Sequence, residues 1–219
     1  MTATLLFDLD GTIVETDHLH FEALNTVFTP HGVTVDWDTY KTRVIGRNNP
    51  TIAAEFLPHV PPSDHAGIMN QKEATYRDQI RALEAASGLT ALLDWADACG
   101  IPCGVVTNAP RANADAVLEV LQIRHRFKVL VIGPELREAK PHPLPYLTAL
   151  EALGGDARAS AAFEDSPSGV MSAAAAGLGV VGLTTSLGGA SLREAGAHVV
   201  GQDFTDPAIV TFVRERTGR

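Results

Sequence analysis

Five short apolar runs, most of them closed by polar or turn-forming residues, constrain the fold of this chain more than any other feature. The runs cover residues 4–7, 103–107, 129–132, 159–163 and 178–183. Apolar residues at helical spacing follow the second run, and an alanine-rich helical segment, residues 170–176, precedes the last. Strands that alternate with helices favour right-handed crossovers and a sheet covered on both faces. We therefore predict an α/β fold with a doubly wound parallel sheet.

Residues 15–86 interrupt this alternation. Apolar residues there follow a helical period from Leu19 to Phe28, and residues 70–86 read as one long helix that Gly88 ends. The segment is either an extended first crossover or an inserted helical domain. A crossover of about 70 residues far exceeds the usual connection, which favours an insert. We predict a core domain of residues 1–14 and 87–219, and a helical cap domain of residues 15–86.

Two acidic residues follow the first apolar run, in the sequence Phe-Asp8-Leu-Asp10-Gly11-Thr. Open α/β sheets bind ligands at the carboxyl ends of their strands, where both acids are expected to lie. One carboxylate can act as a nucleophile or metal ligand while the other transfers a proton. Such a pair is weak evidence alone, because similar pairs also cap helices and occupy ordinary loops.

Three further segments strengthen this interpretation. Thr107 and Asn108 end the second run just before a helix, and phosphate oxygens favour the N-terminus of a helix. Glu164 and Asp165 end the fourth run and offer the hard oxygen ligands that Mg²⁺ prefers. Lys140 lies in a proline-rich loop and supplies a cation for an anionic substrate.

The overall charge makes such a local cation necessary. The chain carries 17 Lys and Arg against 26 Asp and Glu, a net charge of −9. This charge disfavours binding to nucleic acid and to anionic membranes. The N-terminal residues do not resemble a signal peptide, and Cys99 and Cys103 are expected to be reduced thiols, so we expect a cytoplasmic protein without nucleic-acid or membrane partners.

Together these segments resemble the haloacid dehalogenase superfamily, in the branch with a helical cap that includes beta-phosphoglucomutase and phosphoglycolate phosphatase. The resemblance covers essentially the whole chain. Its four motifs occur in order: Asp8-Leu-Asp10-Gly-Thr12, Val-Thr107-Asn108, Lys140-Pro-x-Pro-x-x-Tyr146, and Phe-Glu164-Asp165-Ser-Pro-Ser-Gly169.

The resemblance implies a role for each motif residue. Asp8 would form an aspartyl-phosphate, and Asp10 would act as general acid and then general base. Thr107 and Asn108 would hold the phosphoryl group, and Lys140 would neutralise it and orient Asp8. Mg²⁺ would be bound by the Asp8 carboxylate, the Asp10 carbonyl oxygen and Asp165, with Glu164 either bound to the ion or next to its ligands. Since halide release needs no protonated leaving oxygen, the presence of Asp10 favours phosphate chemistry over dehalogenation.

Four residues of the predicted cap are candidates for binding the leaving group. Thr16 and His20 are four residues apart and share one face of a helix. With Lys72 they match positions in beta-phosphoglucomutase, although a histidine at a domain junction and a solvated Lys-Glu-rich helix face are ordinary alternatives. Arg47 follows Gly46 and is a candidate for a distal group, but the cap arginine of beta-phosphoglucomutase falls slightly later, where this chain has Asn49.

The predicted function is Mg²⁺-dependent hydrolysis of a small phosphate monoester, such as a sugar phosphate or a similar metabolite. One alternative is a phosphomutase resembling beta-phosphoglucomutase. Another, less favoured because the catalytic side chains are all present, is a non-catalytic phosphate-binding regulatory protein. A small phosphorylated metabolite is the expected partner, and we expect a monomer because a capped enzyme closes its own site.

Overall fold

The first strand of the chain occupies a central position in the sheet. The computed structural model describes residues 2–219, and its single sheet has six parallel strands in the order β3-β2-β1-β4-β5-β6. The strands are β1 (Leu5–Phe7), β2 (Cys103–Thr107), β3 (Phe127–Ile132), β4 (Ala161–Glu164), β5 (Gly179–Leu183) and β6 (Val199–Gly201). The chain adds β2 and β3 on one side of β1 and then crosses to add β4, β5 and β6 on the other. This order confirms the predicted doubly wound α/β fold.

Ten α-helices accompany these strands in residues 2–219. They are α1 (Asp17–Phe28), α2 (Trp37–Arg43), α3 (Asn49–Phe56), α4 (Pro62–Gln79), α5 (Leu89–Ala98), α6 (Arg111–Val120), α7 (Leu144–Leu153), α8 (Pro167–Ala175), α9 (Gly189–Ala195) and α10 (Pro207–Thr217). None of them has the length and apolar composition that crossing a membrane requires.

The sheet is apolar on both faces, as expected for buried parallel strands. On one face Leu6, Val106 and Val180 belong to a core that includes Tyr146 of α7 and Val170 of α8. On the other face the rings of Phe7 and Phe163 stack with their centroids 4.6 Å apart. Phe7 of β1 is paired with Phe163 of β4, so the carboxyl ends of these two strands lie side by side.

The chain forms two compact units. One comprises Met1–Glu15 and Glu84–Arg219 and contains the sheet; the other, Thr16–Leu83, is entirely helical and is called the helical unit below. The first residue of the helical unit lies one position later than that of the predicted cap domain, and its last residue lies three positions earlier. Its own core includes Leu24 and Phe28 of α1, Ile52 of α3 and Met69 of α4.

Two details of the sequence-based prediction were wrong. The long helix expected at residues 70–86 is α4, which begins at Pro62 and ends at Gln79. Proline suits the first turn of a helix, where no intrahelical N–H partner is needed. At the other end, buried Ile80 leaves helical geometry with φ −76° and ψ 59°. In addition, β6 was not predicted because its apolar run is only two valines long.

Candidate active site

Asp8 lies at the point where the strand order of the sheet reverses. It directly follows β1, whose neighbours are β2 on one side and β4 on the other. Its main-chain N–H donates to the carbonyl oxygen of Phe163 at 3.0 Å, so the residue still belongs to the sheet. Ligands of open α/β sheets bind in the crevice at such a reversal. The fold therefore places a buried carboxylate where a substrate is expected.

Lys140 reaches this carboxylate from the loop before α7. Its ammonium group donates three hydrogen bonds: to Asp8 Oδ1 at 2.7 Å, to Glu164 Oε1 at 2.6 Å and to the carbonyl oxygen of Val106 at 2.6 Å. An ammonium group has three N–H donors, so all of them are used within the protein. Lys140 consequently acts on Asp8 through a fixed contact rather than as a mobile surface charge.

The acidic residues that end β4 share this site. One oxygen from each of Asp8, Glu164 and Asp165 lies within 4.8 Å of the others. Hard carboxylate oxygens converging in this way fit a Mg²⁺ ion, which binds oxygen ligands. Two glycines leave room for them: a Cβ atom on Gly11 would overlap the carboxylate of Asp165, and one on Gly169 would overlap that of Glu164.

Gly11 has a second reason to be glycine. Its φ of 75° lies in the left-handed region, where other residues are strained. The turn that it forms carries Asp10, and the N–H of Gly11 donates to the carbonyl oxygen of Val14 at 2.8 Å. Thr185, in the loop after β5, donates a hydrogen bond to the carbonyl oxygen of Gly11. Sequence reasoning did not single out this threonine, because no motif marks the loop.

Thr107 and Asn108 end β2 on the other side of β1. The buried Thr107 hydroxyl accepts a hydrogen bond from the N–H of Ala109 at 3.0 Å, which leaves its own proton for donation. The Asn108 side chain holds the main chain of Lys140: its Nδ2 donates to the Lys140 carbonyl oxygen, and its Oδ1 accepts from the Lys140 N–H, both at 3.2 Å. The Asn108 side chain thus positions Lys140, and the role predicted for Asn108 in holding the phosphoryl group stays a prediction.

Burial and charge act in opposite directions on these groups. Burial raises the pKa of the Asp8 carboxyl to about 7, because loss of water disfavours the anion more than Lys140 favours it, and Glu164 adds to the rise. For Lys140, burial alone would lower the pKa, but the carboxylates of Asp8 and Glu164 outweigh it and raise the pKa. The lysine therefore stays charged.

The predicted residues of the helical unit fall into two groups. Lys72 and His20 lie together: Lys72 Nζ is 2.8 Å from His20 Nδ1 and 3.0 Å from Glu73 Oε1. The imidazole stacks on Tyr76 with centroids 3.8 Å apart. An ammonium group can only donate, so this contact has the arrangement of a hydrogen bond from Lys72 to His20 Nδ1. Thr16 is also buried, immediately before α1.

Arg47 has a different partner. It forms an ion pair with Glu55 of α3, and Arg43 forms another with the same carboxylate. Asn49, the residue at the position of the displaced arginine, instead donates to Glu73 Oε1 at 2.7 Å. Asn49 thereby joins the group formed by His20 and Lys72, whereas the Arg47 guanidinium is engaged elsewhere.

The protein-family model of the haloacid dehalogenase-like hydrolases matches residues 5–183, which are most of the chain. The chain belongs to this family. This membership confirms the resemblance drawn from the four motifs, and it agrees with the sheet order and with the acidic crevice at the strand reversal.

Three relatives within the family show its range. The chain is 34% identical to protein CbbY from Rhodobacter capsulatus over 188 residues, which cover 81% of this chain and 83% of the relative. It is 32% identical to validoxylamine A 7'-phosphate phosphatase from Streptomyces hygroscopicus subsp. limoneus over 208 residues, covering 94% and 96%. The solved CbbY from Rhodobacter sphaeroides in complex with xylulose-(1,5)bisphosphate is 26% identical, with a TM-score of 0.83 over 97% of this chain and 99% of that one. The prediction of a phosphoric monoester hydrolase is confirmed at the level of enzyme class.

Proposed function

We propose that this protein is a Mg²⁺-dependent phosphatase that hydrolyses a small phosphate monoester through an aspartyl-phosphate on Asp8. The observation that carries the proposal is the sharing of Lys140 between Asp8 and Glu164, with Asp10 two residues further along the chain. A buried carboxylate held by one cation beside two further acids is suited to phosphoryl transfer, which depends on positioning and charge neutralisation.

The carboxylates of Asp8, Glu164 and Asp165 and the carbonyl oxygen of Asp10 are proposed to hold the Mg²⁺ ion. The convergence of the Asp8, Glu164 and Asp165 oxygens supports this assignment. When bound, the ion would offset the negative charge of the phosphoryl oxygens and of the buried acids.

In the first step a carboxylate oxygen of Asp8 attacks phosphorus, and the bond from phosphorus to the ester oxygen breaks. Asp10 donates a proton to that departing oxygen, which leaves as an alcohol. The Thr107 hydroxyl holds a phosphoryl oxygen. Asn108 is proposed to do so through its main chain, because its side chain is bonded to Lys140.

In the second step Asp10, now a carboxylate, accepts a proton from water as the water oxygen attacks phosphorus. The bond between phosphorus and Asp8 breaks, which releases inorganic phosphate and restores the Asp8 carboxylate. One residue thus serves as general acid and then as general base. Proton transfer by a well-placed group typically increases the rate of a step about 10²- to 10⁴-fold.

The relatives support a sugar phosphate or a similar metabolite as substrate, since one is named a phosphatase of validoxylamine A 7'-phosphate and another binds xylulose bisphosphate. Thr16, His20, Lys72 and Arg47 are proposed to bind the leaving group. For Lys72 and His20, their direct contact and the burial of Lys72 support the assignment. For Arg47, the ion pair with Glu55 would first have to open. A monomeric state and a cytoplasmic location stay predictions.

The test is phosphate release from a panel of sugar phosphates, with Mg²⁺ and with a chelator, for the wild type and Asp8→Asn. Asp115→Asn, an exposed aspartate on α6, is the matched control. We expect release that requires Mg²⁺, is lost in Asp8→Asn and is unchanged in Asp115→Asn. Mass spectrometry of rapidly quenched enzyme should find the phosphoryl group on the peptide containing Asp8.

Two outcomes would contradict the proposal. Full release by Asp8→Asn would exclude Asp8 as the nucleophile. Isomerisation of a sugar phosphate in the presence of a sugar bisphosphate, without net phosphate release, would identify a phosphomutase instead.

A further inference from the structure

Tyr146 is a buried residue of the active site to which the proposed mechanism gives no role. It lies in the first turn of α7, six residues after Lys140, and its side chain is fully buried. Burying a hydroxyl group costs free energy unless the hydroxyl is hydrogen-bonded. A phenylalanine would therefore serve equally well at a buried position where the ring is needed only for packing. Here the hydroxyl donates to Glu164 Oε1 at 2.5 Å.

This contact makes the two oxygens of Glu164 unequal. Oε1 accepts hydrogen bonds from both Tyr146 and Lys140, at 2.5 and 2.6 Å. The hydrogen bond of Oε2 with Ser166 Oγ is long, at 3.5 Å, and the same hydroxyl accepts a hydrogen bond from the N–H of Gly169 at 3.1 Å. Oε1 therefore accepts two short hydrogen bonds from the protein, whereas the hydrogen bond to Oε2 is long.

Close packing also surrounds the Glu164 carboxylate. Gly169 packs so closely that a Cβ atom there would overlap both carboxylate oxygens. The ammonium group of Lys140 lies 5.3 Å from the centre of the Tyr146 ring, a distance at which a cation is attracted to an aromatic face. The ring and the hydroxyl of Tyr146 thus hold both members of the Lys140–Glu164 pair.

We infer that Tyr146 is a positioning residue whose hydroxyl keeps Glu164 Oε1 beside Lys140 and thereby presents Glu164 Oε2 to Mg²⁺. The inference rests on the proposed function, since it assumes that the acidic group binds the metal. Groups that hydrogen-bond to metal ligands fix the orientation of those ligands, and removing one typically weakens metal binding or activity by about 10- to 100-fold.

The experiment is a calorimetric titration of Mg²⁺ into the wild type, Tyr146→Phe and Tyr40→Phe. Tyr146→Phe removes one oxygen atom and keeps the ring, so the packing of α7 is preserved. Tyr40→Phe makes the same change at a buried tyrosine of the helical unit and serves as the control. We expect the Mg²⁺ dissociation constant to rise roughly 10- to 100-fold in Tyr146→Phe only.

Phosphate release provides the second readout. Tyr146→Phe should need more Mg²⁺ for half-maximal release, and a high Mg²⁺ concentration should restore most of the rate. A merely structural role would lower the melting temperature and leave the Mg²⁺ dependence unchanged.

The failure of this inference is distinguishable from failure of the proposed function. If wild type and Tyr146→Phe bind Mg²⁺ within twofold of each other, Tyr146 does not position the metal ligand, and the proposed phosphatase stands. If wild-type protein binds no Mg²⁺, the proposed metal dependence is itself wrong, and the role of Tyr146 is overturned with it.

Discussion

Replacing Lys140 by methionine tests the charge balance on which the active site is built. Methionine keeps most of the apolar stem but removes the ammonium group that hydrogen-bonds to Asp8 and Glu164. Glu164 is 0% exposed and Asp8 is 8% exposed, so water cannot replace the lost contacts. The variant leaves two buried carboxylates without the cation that they share.

The size of the effect follows from this burial. Removing one partner of a buried ion pair typically costs about 3–5 kcal/mol, because the remaining charge stays buried. In a chain of this length each kcal/mol lowers the melting temperature by about 2–4 °C. We therefore expect Lys140→Met to melt roughly 6–20 °C below the wild type when Mg²⁺ is chelated. The rate of phosphate release should fall by at least about 10²-fold, the typical effect of removing one hydrogen-bond donor that is positioned to stabilise the transition state.

Thermal melts followed by circular dichroism in a chelating buffer would measure this difference, with Lys128→Met as the control. Lys128 is an exposed residue of β3, so its replacement should change the melting temperature little. Added Mg²⁺ should recover part of the stability lost in Lys140→Met, because a bound cation stabilises the folded state. Equal melting temperatures for the two variants would refute the view that Lys140 neutralises buried acids.

Three further changes test other parts of the molecule. Glu73→Gln should cost about 2–3 kcal/mol at pH 7, because Glu73 and Lys72 form a buried pair. Despite opposing burial, Lys72 holds the pKa of Glu73 below its usual value, so part of this stability is lost as the pH falls below about 4.5. The difference in melting temperature between wild type and Glu73→Gln should therefore be smaller at pH 4 than at pH 7. Gly169→Ala should abolish Mg²⁺-dependent phosphate release, since the added methyl displaces the Glu164 carboxylate; unchanged release would contradict the observed packing. Burial raises the pKa of Cys103 to about 12, so mass spectrometry should find it unlabelled by iodoacetamide at pH 8 in native protein and labelled after denaturation.

Much of the site could be predicted because parallel strands bring their carboxyl ends together. Each acidic or hydroxyl residue was found at the end of an apolar run, and the sheet places those ends side by side. Asp8, Glu164 and Asp165 converge for this reason, although β1 and β4 are far apart in sequence. The same reasoning overlooked β6, whose two-valine run is too short to stand out.

The pairing of individual polar atoms could not be predicted in this way. The sequence does not indicate that the Asn108 amide would bond to the main chain of Lys140, or that Arg47 would pair with Glu55. Such pairings depend on rotamers and on loop paths, which residue type and spacing do not determine. Tyr146 belonged to a recognised motif, but the importance of its hydroxyl appears only once Glu164 is seen beside it.

The position of β1 also has a consequence for the order in which the chain can fold. Leu5 pairs with Cys103 on one side and with Ala161 on the other. Leu5 and Ala161 are 156 residues apart in sequence. Contacts that distant form slowly, because a long loop must close before they are gained. During synthesis β1 is made before either of its neighbouring strands, and β4 is the later of the two. Until then the apolar residues of β1 lack one of their two partner strands, and Asp8 lacks the neighbouring strand end that carries Glu164 and Asp165.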